Sequence, residues 1–129
     1  MNRWVKYNAN PLHNRTDDCT IRAISKAMGQ SWDDTFDDIV HLAKKMAQMP
    51  DANIVWGRYL KRNGFHQYIV DDYGDDFYTV EEFARDHPYG IYILHMLDQE
   101  HVVAVIDGMY YDSFDSGNEV PQFYWTREL

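Results

Sequence analysis

The chain has one cysteine, Cys19, among 129 residues. A single thiol cannot form an internal disulfide, and proteins of oxidising compartments usually contain several, so we expect an intracellular protein. Residues 1–10 have no apolar core of the secretory type, which favours a cytoplasmic location. No apolar run approaches the roughly 20 residues needed to cross a bilayer, so no membrane span is expected. Cys19 is therefore a structural residue, a reactive thiol or the partner of another chain.

Basic residues are also few. The chain has 12 lysines and arginines against 21 aspartates and glutamates, a net charge of −9. Nucleic-acid binding needs a surplus of basic residues to neutralise phosphates, so we expect no nucleic-acid partner. The imbalance is uneven, because residues 1–32 are mildly basic and the remainder is strongly acidic. Such an acidic body favours basic or neutral partners.

Repeats and Pro-, Gly- or Ser-rich linkers are absent from the sequence, which predicts one domain over residues 1–129. With 45% hydrophobic residues the chain can form a core, and folding at this size buries about two-thirds of the unfolded surface. The six histidines show no pair at zinc-ligand spacing supported by cysteines, so neither a metal nor a cofactor is expected. The acidic run at residues 71–76 lacks the ligand spacing of a calcium site and is predicted to be a solvated loop.

Apolar periodicity predicts four helices. The first begins at or near Cys19 and ends at Gly29, because the apolar residues between them recur at helical spacing. Capping-box patterns at Ser31 and Thr79 indicate the starts of a second helix and of a short fourth one. A third helix is predicted to end at Asn63. Cys19 is thus expected at a helix N-terminus.

The second half of the chain changes to a strand-like period. Two apolar runs are followed by an Asp-Gly pair, which is among the strongest short signals for a hairpin turn. We therefore predict an α+β fold, with N-terminal helices packed on one side of a C-terminal antiparallel sheet. The predicted extended segments are residues 4–8, 65–70, 91–97, 101–106 and 109–112, with the aromatic residues 123–125 in the core or in an edge strand.

Cys19 has the setting that a nucleophilic thiol requires. A helix N-terminus lowers the pKa of a thiol, a histidine can serve as base and acid, and a third polar group can orient the imidazole ring. His101 opens one predicted strand and Asp112 closes the next. The tight turn between these strands should bring the two side chains opposite each other. Asp115 is a competitor for the third role, because the strand end is uncertain by a few residues.

The chain resembles the papain-like cysteine peptidases, of a minimal bacterial or phage type, in the order and context of Asp18-Cys19, His101 and Asp112-Ser113-Phe114. The resemblance implies a papain-like fold with Cys19 as nucleophile and His101 as general base and then acid. It also implies that Asp112 orients the imidazole and that the Phe114 ring shields this pair.

The resemblance further implies an oxyanion hole made by the Cys19 backbone amide and an upstream side chain. Papain relatives usually place a glutamine five or six residues before the cysteine, where this chain has Asn14 and His13. Asn14 is the candidate, and a positioned donor of this kind lowers the barrier by about 3 kcal/mol. Asp17 and Asp18 would raise the pKa of the thiol unless they point away from it.

These features predict a thiol hydrolase that cleaves a peptide or isopeptide bond through an acyl-enzyme. Acyl transfer and glutamine deamidation use the same three residues and stay open. The alternative is a non-catalytic papain-fold binding module or inhibitor, whose acidic surface would meet a basic protein partner. Both hypotheses predict a protein or peptide partner.

Overall fold

The computed structural model describes residues 2–70 and 78–128, so the predicted acidic loop at residues 71–76 lies outside the described residues. Within the described ranges the chain forms four helices and six strands. In chain order these are β1 (Trp4–Lys6), α1 (Cys19–Met28), α2 (Trp32–Met46), α3 (Asn53–Arg62), β2 (His66–Ile69), α4 (Val80–Asp86), β3 (Ile91–Met96), β4 (His101–Ile106), β5 (Met109–Asp112) and β6 (Phe123–Thr126). No helix in the described part is long and apolar enough to span a bilayer.

The helix ends follow the capping chemistry of the sequence. Gly29 ends α1 in the left-handed region, with a φ of 65° that glycine adopts without strain. Ser31 opens α2, where its hydroxyl accepts the backbone N–H of Asp34 at 3.0 Å. Thr79 and Glu82 form the predicted capping box at the start of α4. The four predicted helices are confirmed, and Cys19 is the first residue of α1.

The strands form one sheet in the order β1-β5-β4-β3-β6-β2. The α+β class is confirmed, but the prediction of a purely antiparallel sheet was wrong, because β1 pairs with β5 in parallel. More than a hundred residues and all the helices separate these two strands, a connection long enough for a parallel crossover. The aromatic segment 123–125 lies in β6, an interior strand between β3 and β2.

Helices cover both faces of the sheet, so the expectation that they pack on one side was wrong for α4. One core cluster joins residues of α1, α2 and α3 to Val102 and Ala104 of β4. A second cluster joins α4 to Val103 and Val105 of the same strand. A strand that is apolar on both faces requires cover on both, as in the buried sheets of α/β proteins.

The turn between β4 and β5 sets the register of the candidate site. Asp107 and Gly108 have φ values of 49° and 81°, the two positive angles of a type I′ turn. The ladder pairs Ile106 with Met109 and Ala104 with Tyr111. The next pair in this ladder would be residue 103 with Asp112. His101 is thus two residues further from the turn along β4 than the residue directly opposite Asp112. The predicted proximity of His101 and Asp112 is therefore diagonal, a spacing that long side chains can bridge.

Candidate active site

Cys19 lies at the N-terminus of α1, half-buried, on the wall of a cleft of about 720 Å³. Asp18 occupies the N-cap position but makes no side-chain capping hydrogen bond. The N–H groups of the first helical turn have no intrahelical partner, and they carry the positive end of the helix dipole. The His101 side chain and the backbone of Val102 line the same cleft, and both lower the pKa of the Cys19 thiol.

His101 is the first residue of β4, and it is buried. Its Nε2 contacts Oδ2 of Asp112 at 2.6 Å. This leaves Nδ1 as the ring nitrogen for the thiol of Cys19. The Phe114 ring packs against the imidazole with centroids 5.0 Å apart, at the position predicted for a shielding aromatic. The structure thus brings Cys19, His101, Asp112 and Phe114 together.

Asp112 is fully buried at the end of β5, and both of its carboxylate oxygens are occupied. Oδ2 meets His101 and accepts the Ser116 hydroxyl at 2.6 Å. Oδ1 accepts Nη2 of Arg22 at 2.9 Å and the backbone N–H of Ser113 at 2.8 Å. Burial alone would raise the pKa of Asp112, but the hydrogen bonds to His101 and Ser116 and the charges of His101 and Arg22 lower it. Asp112 is therefore held as an anion.

The competitor Asp115 is not part of this contact. Its Oδ1 accepts the hydroxyl of Tyr110 and, at 3.0 Å, the backbone N–H of Gly117. It therefore tightens the turn after β5, and the position beside the imidazole belongs to Asp112.

Asn14, the sequence candidate for the oxyanion hole, is exposed and does not line the cleft. The side chain of Asn10 explains this, because its Oδ1 accepts the backbone N–H groups of Leu12 at 3.0 Å and Asn14 at 3.2 Å. The carbonyl of Asn14 accepts Nδ2 of Asn8 at 3.2 Å. These bonds form a local polar loop in which the backbone of Asn14 is fixed away from the cleft. The structure does not bring Asn14 to Cys19.

The carboxylate of Asp18 is buried and hydrogen-bonded to two side chains. Its Oδ1 accepts Nη1 of Arg22 at 2.7 Å, and its Oδ2 accepts the indole N–H of Trp32 at 2.9 Å. Its negative charge is thus compensated by a cation next to the thiol. Asp17 is exposed on the wall of the cleft, where solvent screens its charge.

The pKa values of Cys19 and His101 are shifted towards the ionised pair. Burial alone would raise the pKa of the Cys19 thiol, but the hydrogen bond and charge of His101, the backbone of Val102 and the charge of Arg22 lower it. Burial alone would lower the pKa of His101, but the hydrogen bonds to Asp112 and Cys19 raise it to about 9. Between these two values the site holds a thiolate beside an imidazolium, and the thiolate is the nucleophilic form.

A third carboxyl group lies close to this pair. Burial raises the pKa of Glu119, the charge of His101 lowers it and the charge of Asp112 raises it, with a net upward shift. Its Oε1 is buried and has no hydrogen-bond partner among the described residues. The sequence gives no local signal for this placement, because Glu119 follows β5 in an irregular segment.

Three further residues of the site were not predicted from the sequence. Arg22 bridges Asp18 and Asp112. Asn53, at the start of α3, lines the cleft, and its Oδ1 accepts the indole N–H of Trp56 at 3.0 Å. This contact leaves the two Nδ2 hydrogens of Asn53 as donors. His95 of β3 also lines the cleft, and burial lowers its pKa so that it is neutral at pH 7.

Only the arginine had a usable sequence signal. It lies four residues after an aspartate, inside an otherwise apolar helix face, where a lone cation needs a partner. Asn53 comes from an element far along the chain from Cys19, and only the tertiary fold brings it to the cleft. His95 lies across the β3–β4 turn from His101, but strand alternation alone does not decide whether the two share a face.

No group of three histidine, cysteine, aspartate or glutamate side chains within residues 2–70 and 78–128 is arranged to hold a metal ion. Comparisons of the chain with protein-family models, with curated proteins and with solved structures find no significant match.

Proposed function

We propose that this protein is a thiol hydrolase of the papain-like type, which cleaves a peptide or isopeptide bond through an acyl-enzyme. The observation that carries the proposal is the arrangement of three side chains: His101 contacts the Asp112 carboxylate at 2.6 Å, lines the same cleft as Cys19 and lowers the pKa of its thiol. These side chains come from a helix N-terminus and two strands, beside a cleft of about 720 Å³. A nucleophile, a base and an orienting carboxylate in this order are the parts of nucleophilic acyl transfer.

The chemistry follows from the protonation states. The Cys19 thiolate attacks the carbonyl carbon, and the C=O electron pair moves to the oxygen. The imidazolium of His101 then donates its proton to the departing amine as the C–N bond breaks, which leaves a thioester on Cys19. His101 next takes a proton from water as the oxygen of that water attacks the thioester carbon. The C–S bond then breaks, the carboxylic acid leaves, and the thiolate–imidazolium pair is restored.

The oxyanion needs donors at the cleft. The backbone N–H of Cys19 at the uncapped start of α1 is the first. The Nδ2 group of Asn53 is the second candidate, because the indole of Trp56 fixes the opposite end of its amide. Asn53 takes the place in the proposal that the sequence suggested for Asn14.

The papain-like assignment of the fold is part of the proposal. Its support is the packing of the cysteine-bearing helix α1 against β4 and β5, the two strands that carry the histidine and the aspartate. The order of these three residues along the chain is the order that the sequence resemblance implies.

The test is a digest of a peptide library that contains both linear and lysine-branched amide bonds, performed in ¹⁸O-labelled water. Wild-type protein is compared with the Cys19→Ala variant, which lacks the nucleophile and whose folding is checked by circular dichroism. We expect new C-termini carrying ¹⁸O in the wild-type digest and none with Cys19→Ala. Equal products from both proteins, or no products with the wild type at any pH from 5 to 9, would contradict a hydrolase.

The second candidate is a binding module or inhibitor. It is favoured by the acidic residues Asp17, Asp51 and Glu100 on the cleft and by the absence of Asn14 from it. A binding module would retain a basic peptide uncleaved, and the Cys19→Ala variant would bind that peptide as tightly as the wild type does. The same library, read for retention and for cleavage, separates the two functions.

A further inference from the structure

Arg22 is a buried guanidinium next to the Cys19–His101 pair. It lies one helical turn after Cys19 on α1 and is 5% exposed. Its guanidinium donates from Nη1 to Asp18 at 2.7 Å and from Nη2 to Asp112 at 2.9 Å. Burial of a guanidinium is costly unless its hydrogen bonds are satisfied by anions, and here two carboxylates satisfy them.

The two contacts join different elements. Asp18 and Arg22 belong to the start of α1, which carries Cys19, whereas Asp112 ends β5. The indole N–H of Trp32 holds the far oxygen of Asp18 at 2.9 Å and so anchors this end of the bridge to α2. The Arg22 side chain therefore connects the helix of the nucleophile to the strand of the orienting carboxylate.

The bridge also sets which oxygen of Asp112 meets the imidazole. Arg22 and the backbone N–H of Ser113 both bind Oδ1. Oδ2 is thereby directed to His101 and to the Ser116 hydroxyl. A rotation of the carboxylate would break several charge-assisted bonds at once, so its orientation is fixed.

We propose that Arg22 is a positioning residue, which acts on the Cys19–His101 pair by holding Asp112 in register with α1. This inference rests on the proposed function, because it assigns a role within the same site. The competing explanation is that Arg22 only neutralises Asp18 and has no effect on the thiol.

Two variants separate these explanations. In Asp18→Asn the side chain keeps an oxygen for the Trp32 indole and loses the charge that needs Arg22. In Asp18→Asn/Arg22→Met the cation is also removed, with an apolar side chain of similar length in its place. The double variant leaves no unpaired charge at residue 18, so a change relative to Asp18→Asn reports on Asp112 and the groups beyond it.

The measurement is the thiolate absorbance of Cys19 at 240 nm as a function of pH, with Cys19→Ala as the blank. We expect the double variant to raise the midpoint by about one unit relative to Asp18→Asn, because Asp112 loses the contact that holds it in place beside His101. Identical midpoints for the two variants would overturn the proposal, since Arg22 would then act only as the counter-ion of Asp18.

If circular dichroism shows that the double variant does not fold, a second measurement on the wild-type protein tests the proposal. In the wild-type protein the ¹⁵N resonances of the Arg22 guanidinium are followed with pH by NMR. We expect a transition at the midpoint of thiolate formation, which disappears in Cys19→Ala. A guanidinium signal that is flat through this pH range would overturn the proposal.

The outcome for the wild type separates this inference from the proposed function. A Cys19 that titrates as an ordinary thiol in the wild type would contradict the thiol hydrolase itself. A lowered wild-type midpoint that is unchanged in the double variant would remove the role of Arg22 and leave the hydrolase standing.

Discussion

Asp112 binds donors from four parts of the molecule: α1, β4, β1 and the segment after β5. Its carboxylate receives Arg22, His101, the backbone N–H of Ser113 and the hydroxyl of Ser116. Its backbone carbonyl accepts the indole N–H of Trp4 at 3.1 Å. A side chain held in this way can orient an imidazole without moving when the charge on the ring changes.

Replacement of Asp112 by Asn tests this role. The amide keeps the shape and loses the charge that stabilises the imidazolium. The pKa of His101, about 9 in the wild type, should therefore fall, and the pKa of Cys19 should rise, since each charge of the pair supports the other. We expect alkylation of Cys19 by iodoacetamide at pH 6.5 to slow about tenfold, in line with a one-unit rise in the thiol pKa. An unchanged rate in a folded variant would contradict the role of Asp112.

The oxyanion assignment is tested at Asn53 and Asn14. Asn53→Asp keeps an oxygen for the Trp56 indole but has no N–H donor, so we expect peptide cleavage to fall by roughly 10²-fold, the typical loss of one oxyanion donor. Asn14→Ala is the matched control, and it should retain the wild-type rate because Asn14 lies outside the cleft. The opposite pattern, with Asn14→Ala impaired and Asn53→Asp active, would contradict the assignment of Asn53 and indicate Asn14 as the oxyanion donor.

At the scale of the elements, the sequence predicts helix ends and turns that are determined by contacts between residues close together in the chain. Gly29, Ser31 and the Thr79–Glu82 pair determine helix ends through contacts within a few residues, and all were predicted. The Asp107–Gly108 turn likewise identified the hairpin that brings His101 near Asp112. The parallel pairing of β1 with β5 was not predictable, because nothing in a three-residue strand specifies a partner a hundred residues away.

In the candidate site, too, residues set by local patterns were predictable and residues set by contacts between elements were not. The proximity of Cys19, His101 and Asp112 was predictable because each opens or closes an element with a clear pattern. Arg22 and Asn53 were missed because their roles depend on contacts between elements. Asn14 was chosen by its distance from the cysteine along the chain, and the side chain of Asn10 folds that loop in another direction.

The β4–β5 turn offers a prediction on stability. Gly108 has a φ of 81°, and an added Cβ would lie 3.4 Å from the carbonyl oxygen of Ala84. We expect Gly108→Ala to lower the free energy of unfolding by about 1 kcal/mol, the typical strain of a left-handed residue with a side chain. Urea denaturation measures this change.

Gly57→Ala is the control for that substitution. Gly57 lies within α3, where an added Cβ would meet the Trp125 ring at 3.5 Å, an ordinary contact distance. Alanine favours a helix interior over glycine, so this variant should be as stable as the wild type or more stable. Equal destabilisation by both substitutions would contradict the claim that Gly108 stabilises the fold by adopting a positive φ in the turn.

At the scale of the whole molecule, the net charge is −9, and the acidic surface includes the wall of the cleft. Asp17, Asp51 and Glu100 lie on its wall, and the buried Arg22 is paired with two carboxylates. A cationic reagent approaching Cys19 therefore meets an attractive field, and an anionic reagent meets a repulsive one.

We expect Cys19 to react faster with the cationic disulfide cystamine than with a neutral disulfide of similar size. An anionic aromatic disulfide should react more slowly relative to its rate with free cysteine. The ratio of cationic to anionic rates should shrink as salt rises from 0.01 to 0.5 M, because the Debye length falls from about 30 Å to a few ångström. A ratio that does not depend on salt would show that the acidic wall has no influence on substrates.

The central claim is that Cys19 and His101 form a thiolate–imidazolium pair that acts as a nucleophile. The most direct test is the rate of iodoacetamide alkylation of Cys19 from pH 4 to 11, for the wild type and for His101→Ala. We predict two steps for the wild type: one below the ordinary thiol pKa of about 8.5, as the pair forms, and a second near pH 9, as His101 loses its proton. His101→Ala should show one step at the ordinary thiol pKa. A wild-type profile identical to that of His101→Ala would contradict the claim.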